Sequence, residues 1–223
     1  MSSTPDATPR IKICCIASVA EVELAVAHGA SALGFVSKMP SGPGPIEEEL
    51  IASIVPHVPA GIATFLLTSE TTAEPIIAQQ KRTGVNTLQL VDAVEEGTLA
   101  RLRDALPDVG LVQVIHVTGP ESVDEATALA GEVDALLLDS GNPRLAVKEL
   151  GGTGRVHDWS ISRAIREAVD VPVYLAGGLN ASNAAQAVRE VRPYALDICS
   201  GVRTDGRLDE VKLRGFISAA TSV

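Results

Sequence analysis

Three sets of residues in this chain stand where they could do acid–base chemistry on a small anion. The first is a carboxylate at the end of an apolar run: Val133-Asp134-Ala135-Leu136-Leu137-Leu138 closes on Asp139. A carboxyl group held against apolar walls keeps its proton to higher pH, which makes a general acid, although the same group also serves simply to cap the loop that follows. The second set is Cys14 and Cys15, which close the run that starts at Ile11. In a strand, side chains alternate between faces, so one thiol should point inward and be available for catalysis while the other points outward; a buried cysteine is also a small apolar filler. The third set is Gly151-Gly152-Thr153-Gly154, Gly177-Gly178 and Ser200-Gly201, each at or after an apolar run. Residues this small let backbone N–H groups approach an anion closely, and glycines also serve ordinary turns. Three such clusters at successive run ends favour a phosphate site.

Other polar residues are less decisive. Gln89 and Asp197 lie near the ends of apolar runs and are candidates for binding, with an internal hydrogen-bond network as the alternative for Asp197. His116 is open between the same two roles. His28 and His57 sit near helix ends and read as solvated, Asn180 is placed to cap a helix, and Asp158 before Trp159 reads as another cap.

These residues need elements to hold them, and the chain supplies a repeating pair. Apolar runs at 11–15, 32–36, 61–67, 85–90, 110–117, 133–138, 171–176 and 194–199 alternate with segments of helical periodicity. The helical segments are predicted at 19–28, 46–55, 73–81, 95–105, 121–130, 159–168, 181–190 and 209–220. Eight strand–helix units at a spacing of roughly 25 residues predict a single (β/α)8 barrel of the TIM-barrel class, spanning residues 11–223 behind a flexible tail at 1–10. A doubly wound open sheet is the competing architecture, but the first strand is not followed by a Gly-x-Gly-x-x-Gly turn. In a barrel the chemistry gathers where strands end and loops begin, and Cys14, Cys15, Gln89, His116, Asp139 and the three glycine clusters pass that filter.

Composition bounds the function. The 223 residues are 46% hydrophobic and 3% aromatic, which suits one domain with a layered aliphatic core. With 28 acidic against 18 basic residues the net charge is −10. That sign disfavours nucleic acid and anionic membrane surfaces as partners, while a closed pocket can still offer local N–H groups to an anion. Three cysteines, Cys14, Cys15 and Cys199, give neither a metal-type spacing nor a disulfide framework, so a reducing cytoplasm is expected. The opening residues lack the charged start and apolar run of a signal peptide.

The order of these pieces resembles the phosphoribosylanthranilate isomerases of tryptophan biosynthesis. The resemblance runs through Lys12-Ile13-Cys14, Gly34-Phe35-Val36, Leu136-Leu137-Leu138-Asp139-Ser140, Gly151-Gly152-Thr153-Gly154 with Asp158-Trp159, Leu175-Ala176-Gly177-Gly178-Leu179-Asn180 with Asn183, and Asp197 with Ser200-Gly201-Val202. It implies a cofactor-independent, metal-free Amadori rearrangement of an N-phosphoribosylated anthranilate, an aminoaldose, into its aminoketose. Asp139 would protonate the ring oxygen and Cys14, as thiolate, would take a proton from the neighbouring carbon. That division needs opposite shifts: the carboxyl raised by burial, the thiol lowered by N–H groups or positive charge. Gly152, Thr153, Gly154, Gly177, Gly178, Ser200 and Gly201 would hold the phosphate, with Gln89 and Asp197 as further binding residues. A phosphorylated sugar-like substrate is thus the expected partner, bound by a monomer or a homodimer.

Five positions, in four places along the chain, depart from the family pattern. The family's second-loop arginine is missing from Ser41-Gly42-Pro43-Gly44-Pro45, which leaves Lys38 as the replacement cation; Cys15 replaces a glycine; Val91-Asp92 replaces His-Gly; and His157 replaces a phenylalanine. The changes fall at the anthranilate end of the expected pocket, where Asp92 would oppose an anionic group. Two alternatives therefore accompany the isomerase reading: an isomerase or epimerase of another phosphorylated sugar, and a catalytically silent phosphometabolite-binding or partner protein.

Overall fold

A computed structural model of the chain describes residues 8–142, 145, 148, 150 and 154–223. Its strands are β1 (Arg10–Ile13), β2 (Ala32–Val36), β3 (Ala63–Thr68), β4 (Thr87–Leu90), β5 (Gly110–His116), β6 (Ala135–Asp139), β7 (Val173–Leu175) and β8 (Ala195–Ile198). The helices between them are α1 (Val19–Ala27), α2 (Glu48–Ile54), α3 (Ala73–Thr83), α4 (Thr98–Ala105), α5 (Glu121–Leu129), α6 (Trp159–Ala168) and α7 (Ala184–Val191), with α8 (Glu210–Thr221) at the end. All eight strands run parallel in sequence order, and β1 pairs with β8 to close the ring. The eight predicted units are therefore the architecture: a (β/α)8 barrel. Most of the predicted tail, residues 1–7, lies outside the described residues, and Arg10 already belongs to β1.

Local chemistry sets the element ends. Ser18 Oγ accepts from the Glu21 N–H at 3.2 Å while Glu21 Oε2 accepts from the Ala17 N–H at 3.0 Å, a reciprocal cap that opens α1. Asp158 and Asp209 cap α6 and α8 through backbone N–H groups two and three residues on. At α3 the last turn carries Lys81 and Arg82 against the helix dipole, and Gly84 leaves in the left-handed conformation that side chains resist. Helices α2, α4 and α7 start two to three residues later than periodicity predicts. In α7 the reason is an asparagine turn: Asn183 Oδ1 accepts from the Asn180 N–H at 2.8 Å, so Asn180 shapes the approach instead of capping the helix.

The alternation of side chains divides the core in two. Outward-facing Ile11, Ile13, Leu136, Leu138, Leu175 and Leu196 pack against the helices. A smaller cluster inside the ring contains Phe65, Val112, Val114, Ala135 and Leu137, with Tyr174 against it. The inward set of β1 and β8 is polar. Register places Lys12 beside Asp197, and above them the strands open toward the loops. A short hairpin, β9 (Arg203–Thr204) with β10 (Arg207–Leu208), follows β8 and has no counterpart in the predicted units.

Candidate active site

The C-terminal ends of the strands surround an open cavity of about 780 Å³, counted out to the solvent at its mouth. Cys14, Gln89, Asp139, Asp197 and Ser200 line it together with Gly154, Gly177 and Gly178. Of the residues singled out by sequence, Gly152 and Thr153 (with Gly151) lie outside the described residues. Gly201 adjoins the wall without lining it, and Lys38 is exposed and does not line the cavity. The lining therefore lends no support to Lys38 as the replacement for the missing arginine; its carbonyl accepts from Ser69 Oγ, which fixes that stretch of loop against the β3 end.

Asp139 ends β6 and is buried. Burial pushes its carboxyl above the ordinary aspartate value, against the Ser140 N–H and the His116 ring, which pull the other way. His116 stands beside it in register on β5, with Nε2 2.9 Å from the Val91 carbonyl oxygen. His116 is thus an outer neighbour of Asp139 and does not line the cavity.

Cys14 faces the same cavity, but its thiol is not lowered as expected. Burial raises it to about 11, and the Lys12 ammonium only partly offsets that desolvation. Lys12, which the sequence reading passed over, is fully buried, and its Nζ donates to Asp197 Oδ2 at 2.8 Å. Gly34 explains how two such groups share the space. A Cβ there would sit 2.9 Å from Cys14 Sγ and 3.2 Å from Lys12 Nζ, so the thiol and the ammonium converge on the gap that glycine leaves. The far oxygen of Asp197, Oδ1, and Gln89 Oε1 are buried at the cavity with no hydrogen-bond partner among the described residues. Polar atoms of that kind are costly to leave unpaired and are commonly completed by a ligand or water.

The glycines do more than turn. A Cβ on Gly178 would meet the Arg155 carbonyl at 2.6–2.7 Å, and one on Gly201 would lie 2.2 Å from the Leu179 carbonyl oxygen. Each is a point where two backbones touch, so the loops after β6, β7 and β8 are locked into one surface. Asn183 Nδ2 and Asn180 Nδ2 donate to the Gly178 carbonyl at 3.0 and 3.3 Å and hold the middle loop from beneath. Immediately after β8, Ser200–Val202 form a single 3-10 turn at the cavity edge.

Three further departures have structural outcomes. Cys15 does not alternate outward: it leaves the strand with φ 65°, which turns it into the cavity wall, where it is disulfide-bonded to Cys199. That pairing overturns the expectation of three unpaired thiols. Asp92, expected to oppose an anion, is ion-paired with Lys148, whose side chain is 48% exposed at the mouth and whose carbonyl accepts from Ser41 Oγ at 2.6 Å. His157, in the phenylalanine position, is pushed down to about 4 by burial, so it packs as a neutral ring: Nδ1 lies against Gly177 and Nε2 is 2.6 Å from Ser162 Oγ.

Arg203, also missed by sequence, completes the region. Its Nη2 donates to the carbonyls of Cys14 and Cys15 at 3.0 and 2.6 Å, and its Nη1 to Glu21 Oε1 at 2.8 Å. It reaches these groups from beyond β8, and nothing local in the sequence marks it.

Residues 11–219 match the family model described as N-(5'-phosphoribosyl)anthranilate (PRA) isomerase. A curated N-(5'-phosphoribosyl)anthranilate isomerase 2 of Methanosarcina mazei is 36% identical over 213 residues, covering 95% of this chain and 93% of its own length. The isomerase of Methanosarcina acetivorans is 32% identical over 222 residues, covering 93% and 91%. Among solved structures, phosphoribosyl anthranilate isomerase from Thermotoga maritima superposes with a TM-score of 0.81 at 26% identity, covering 96% of this chain and 100% of that one.

Proposed function

This chain belongs to the N-(5'-phosphoribosyl)anthranilate isomerase family, and on that footing we propose that its cavity converts N-(5'-phosphoribosyl)anthranilate, an aminoaldose, into the corresponding aminoketose. It is an isomerase: substrate and product have the same atoms, and the reaction moves protons between oxygen and carbon. The observation that carries the reading is a buried, proton-retaining Asp139 sharing one cavity with Cys14 beside three fused glycine loops.

In this reading Asp139 donates its proton to the ring oxygen, the C–O bond breaks and the nitrogen lone pair forms a cationic C=N bond. That positive charge makes the proton on the neighbouring carbon acidic. Cys14, in its thiolate form, removes it, leaving an enol amine that settles to the ketone. The thiol pKa of about 11 supports this order of events, because a base so rarely ionised at rest is useful only once a cation has formed beside it. Lys12 supplies permanent positive charge next to the thiol, and Asp197 keeps Lys12 in place. The C-terminal face of the last barrel strands is a common seat for phosphate, which supports Gly154, Gly177, Gly178, Ser200 and Gly201 as the anion site, with Gln89 and Asp197 meeting the sugar hydroxyls.

Every group named comes from one chain and from residues 11–223, which suits a monomer or a homodimer alike. No described helix is long and apolar enough to cross a membrane. A phosphorylated, carboxylated substrate does not cross membranes unaided, which supports a cytoplasmic enzyme working where that substrate is made; the cysteine count no longer adds to that argument, since two of the three are paired.

The test is turnover of freshly prepared N-(5'-phosphoribosyl)anthranilate, followed by fluorescence, with Asp139→Asn as control. Turnover abolished by the substitution supports the reading. A folded protein that is stabilised by inorganic phosphate but leaves this substrate unchanged would move the assignment to another phosphorylated sugar.

A further inference from the structure

We propose that the Cys15–Cys199 pair is a redox modification site built into the wall of the active cavity, opened by dithiols and closed by small-molecule disulfides, and that its state sets how firmly the cavity holds substrate. The proposal builds on the function proposed above but has a readout of its own. The two Cα atoms lie 6.0 Å apart, in the usual range for a disulfide, and both residues line the cavity. Each sits next to a residue with work to do. Cys15 follows Cys14, the proposed base, and Cys199 precedes Ser200, at the proposed phosphate edge. The bridge therefore ties the loop that positions the base to the loop that positions the anion, across the β1–β8 seam.

A third loop rests on it. The loop after β2 passes so close that a Cβ on Gly44 would lie 2.7 Å from Cys15 Cβ and 2.8 Å from its sulfur, and the Pro43 carbonyl oxygen is 3.8 Å from that sulfur. Gly42 and Pro43 of the same loop line the cavity. Opening the bridge frees two side chains under this contact. The backbone does not follow them, because Arg203 independently holds the Cys14 and Cys15 carbonyls. Reduction thus loosens the wall without dismantling the site.

The chemistry is ordinary exchange. A dithiol thiolate attacks Cys199 Sγ, the less buried of the two sulfurs, and the S–S bond breaks with its electron pair leaving on Cys15, which takes up a proton. The second thiol of the reagent then displaces Cys199 as a thiol and leaves as a cyclic disulfide. Two electrons and two protons pass from the dithiol to the pair. The neighbouring Cys14 does not short-circuit the bridge at neutral pH, since its buried thiol is almost wholly protonated and only a thiolate attacks.

The experiment is alkylation of the full-length protein after equilibration with oxidised glutathione or with dithiothreitol, read by mass spectrometry, with melting and turnover measured on the same samples. The oxidised protein should show one alkylated cysteine after denaturation and the reduced protein three. Reduction should lower Tm by roughly 5–15 °C, as loss of a long-range disulfide does. It should raise KM for N-(5'-phosphoribosyl)anthranilate about three- to tenfold with kcat little changed, the cost of re-ordering one or two side chains on binding. Cys199→Ser should hold the reduced-state KM whatever reagent is present. Three alkylated cysteines after glutathione disulfide treatment overturn the proposal, and so does a KM that reduction leaves unchanged. If the substrate were not turned over at all, the cysteine count and the melting shift would still decide whether the pair is a redox site.

Discussion

Replacing Lys12 by methionine should be among the most damaging single substitutions in the protein, and the structure says by how much. The ammonium is 0% exposed, donates to Asp197 at 2.8 Å and stands 5.0 Å from the Phe65 ring. Methionine fills nearly the same volume, so packing changes little and the cost comes from the charge left behind. Asp197, 7% exposed, would lose its only ion-pair partner among the described residues and remain a buried anion. Breaking one half of such a pair costs about 3–5 kcal/mol, while replacing both halves by apolar residues of similar size is often close to neutral. The double variant Lys12→Met/Asp197→Leu should therefore be more stable than Lys12→Met alone. Guanidinium denaturation of the wild type, both single variants and the double variant at pH 7 gives the coupling directly. Burial lowers the Lys12 pKa, but the Asp197 carboxylate outweighs it and the ammonium ends above its ordinary 10.5. Its contribution is thus fully present below pH 10.5 and is lost as pH climbs through the folded-state value, so the gap between wild type and Lys12→Met should close in strong alkali. A Lys12→Met variant within about 1 kcal/mol of wild type at pH 7 would refute the argument and show that water in the open cavity compensates the Asp197 carboxylate.

Two other outcomes follow from the site. The proposed base ionises near pH 11 and the acid is held above the ordinary aspartate value, so the active form, carboxylic acid with thiolate, is a minority species at neutral pH. The value of kcat/KM should therefore not decline with rising pH until about pH 11, and a decline between pH 7 and 9 would overturn the thiol's role as a base held that high. Gly201→Ala places a methyl group 2.2 Å from the Leu179 carbonyl oxygen, so the loops after β7 and β8 must part. It should cost about 1–3 kcal/mol of stability and raise KM more than it lowers kcat, and wild-type thermal melting and KM in that variant would show that the contact is soft.

How far the sequence could be read depended on whether a signal was local. The barrel was legible because each strand–helix unit announces itself by period and punctuation, and Asp139 was legible because an apolar run ends on it. Lys12 was not, although it stands two residues before Cys14 and alternation turns both inward. A charged residue at a strand start is ordinarily a surface residue, and only the partner supplied by β8 makes its burial tolerable. Arg203 and the Cys15–Cys199 pair were hidden for the same reason: their partners are 184 to 189 residues away. The thiol pKa was misjudged because the family analogy names the role of Cys14 without the depth at which it lies. Lys38 stands near the right place in sequence, yet that position alone does not put it on the cavity lining.

The seam between β1 and β8 has a consequence for how the molecule is made. Lys12 meets Asp197 across it, Cys15 meets Cys199, and Arg203 reaches back to the carbonyls of Cys14 and Cys15. The first strand leaves the ribosome with a lysine it cannot bury and a reactive thiol it cannot shelter, and both wait for residues made almost two hundred codons later. The earlier strands can associate as they emerge, but the corner that joins β1 to β8 is complete only after β8 and its hairpin are released. A nascent chain stalled before β8 would thus be a partly assembled barrel in which Lys12, Cys15 and the Cys14 and Cys15 carbonyls lack their partners.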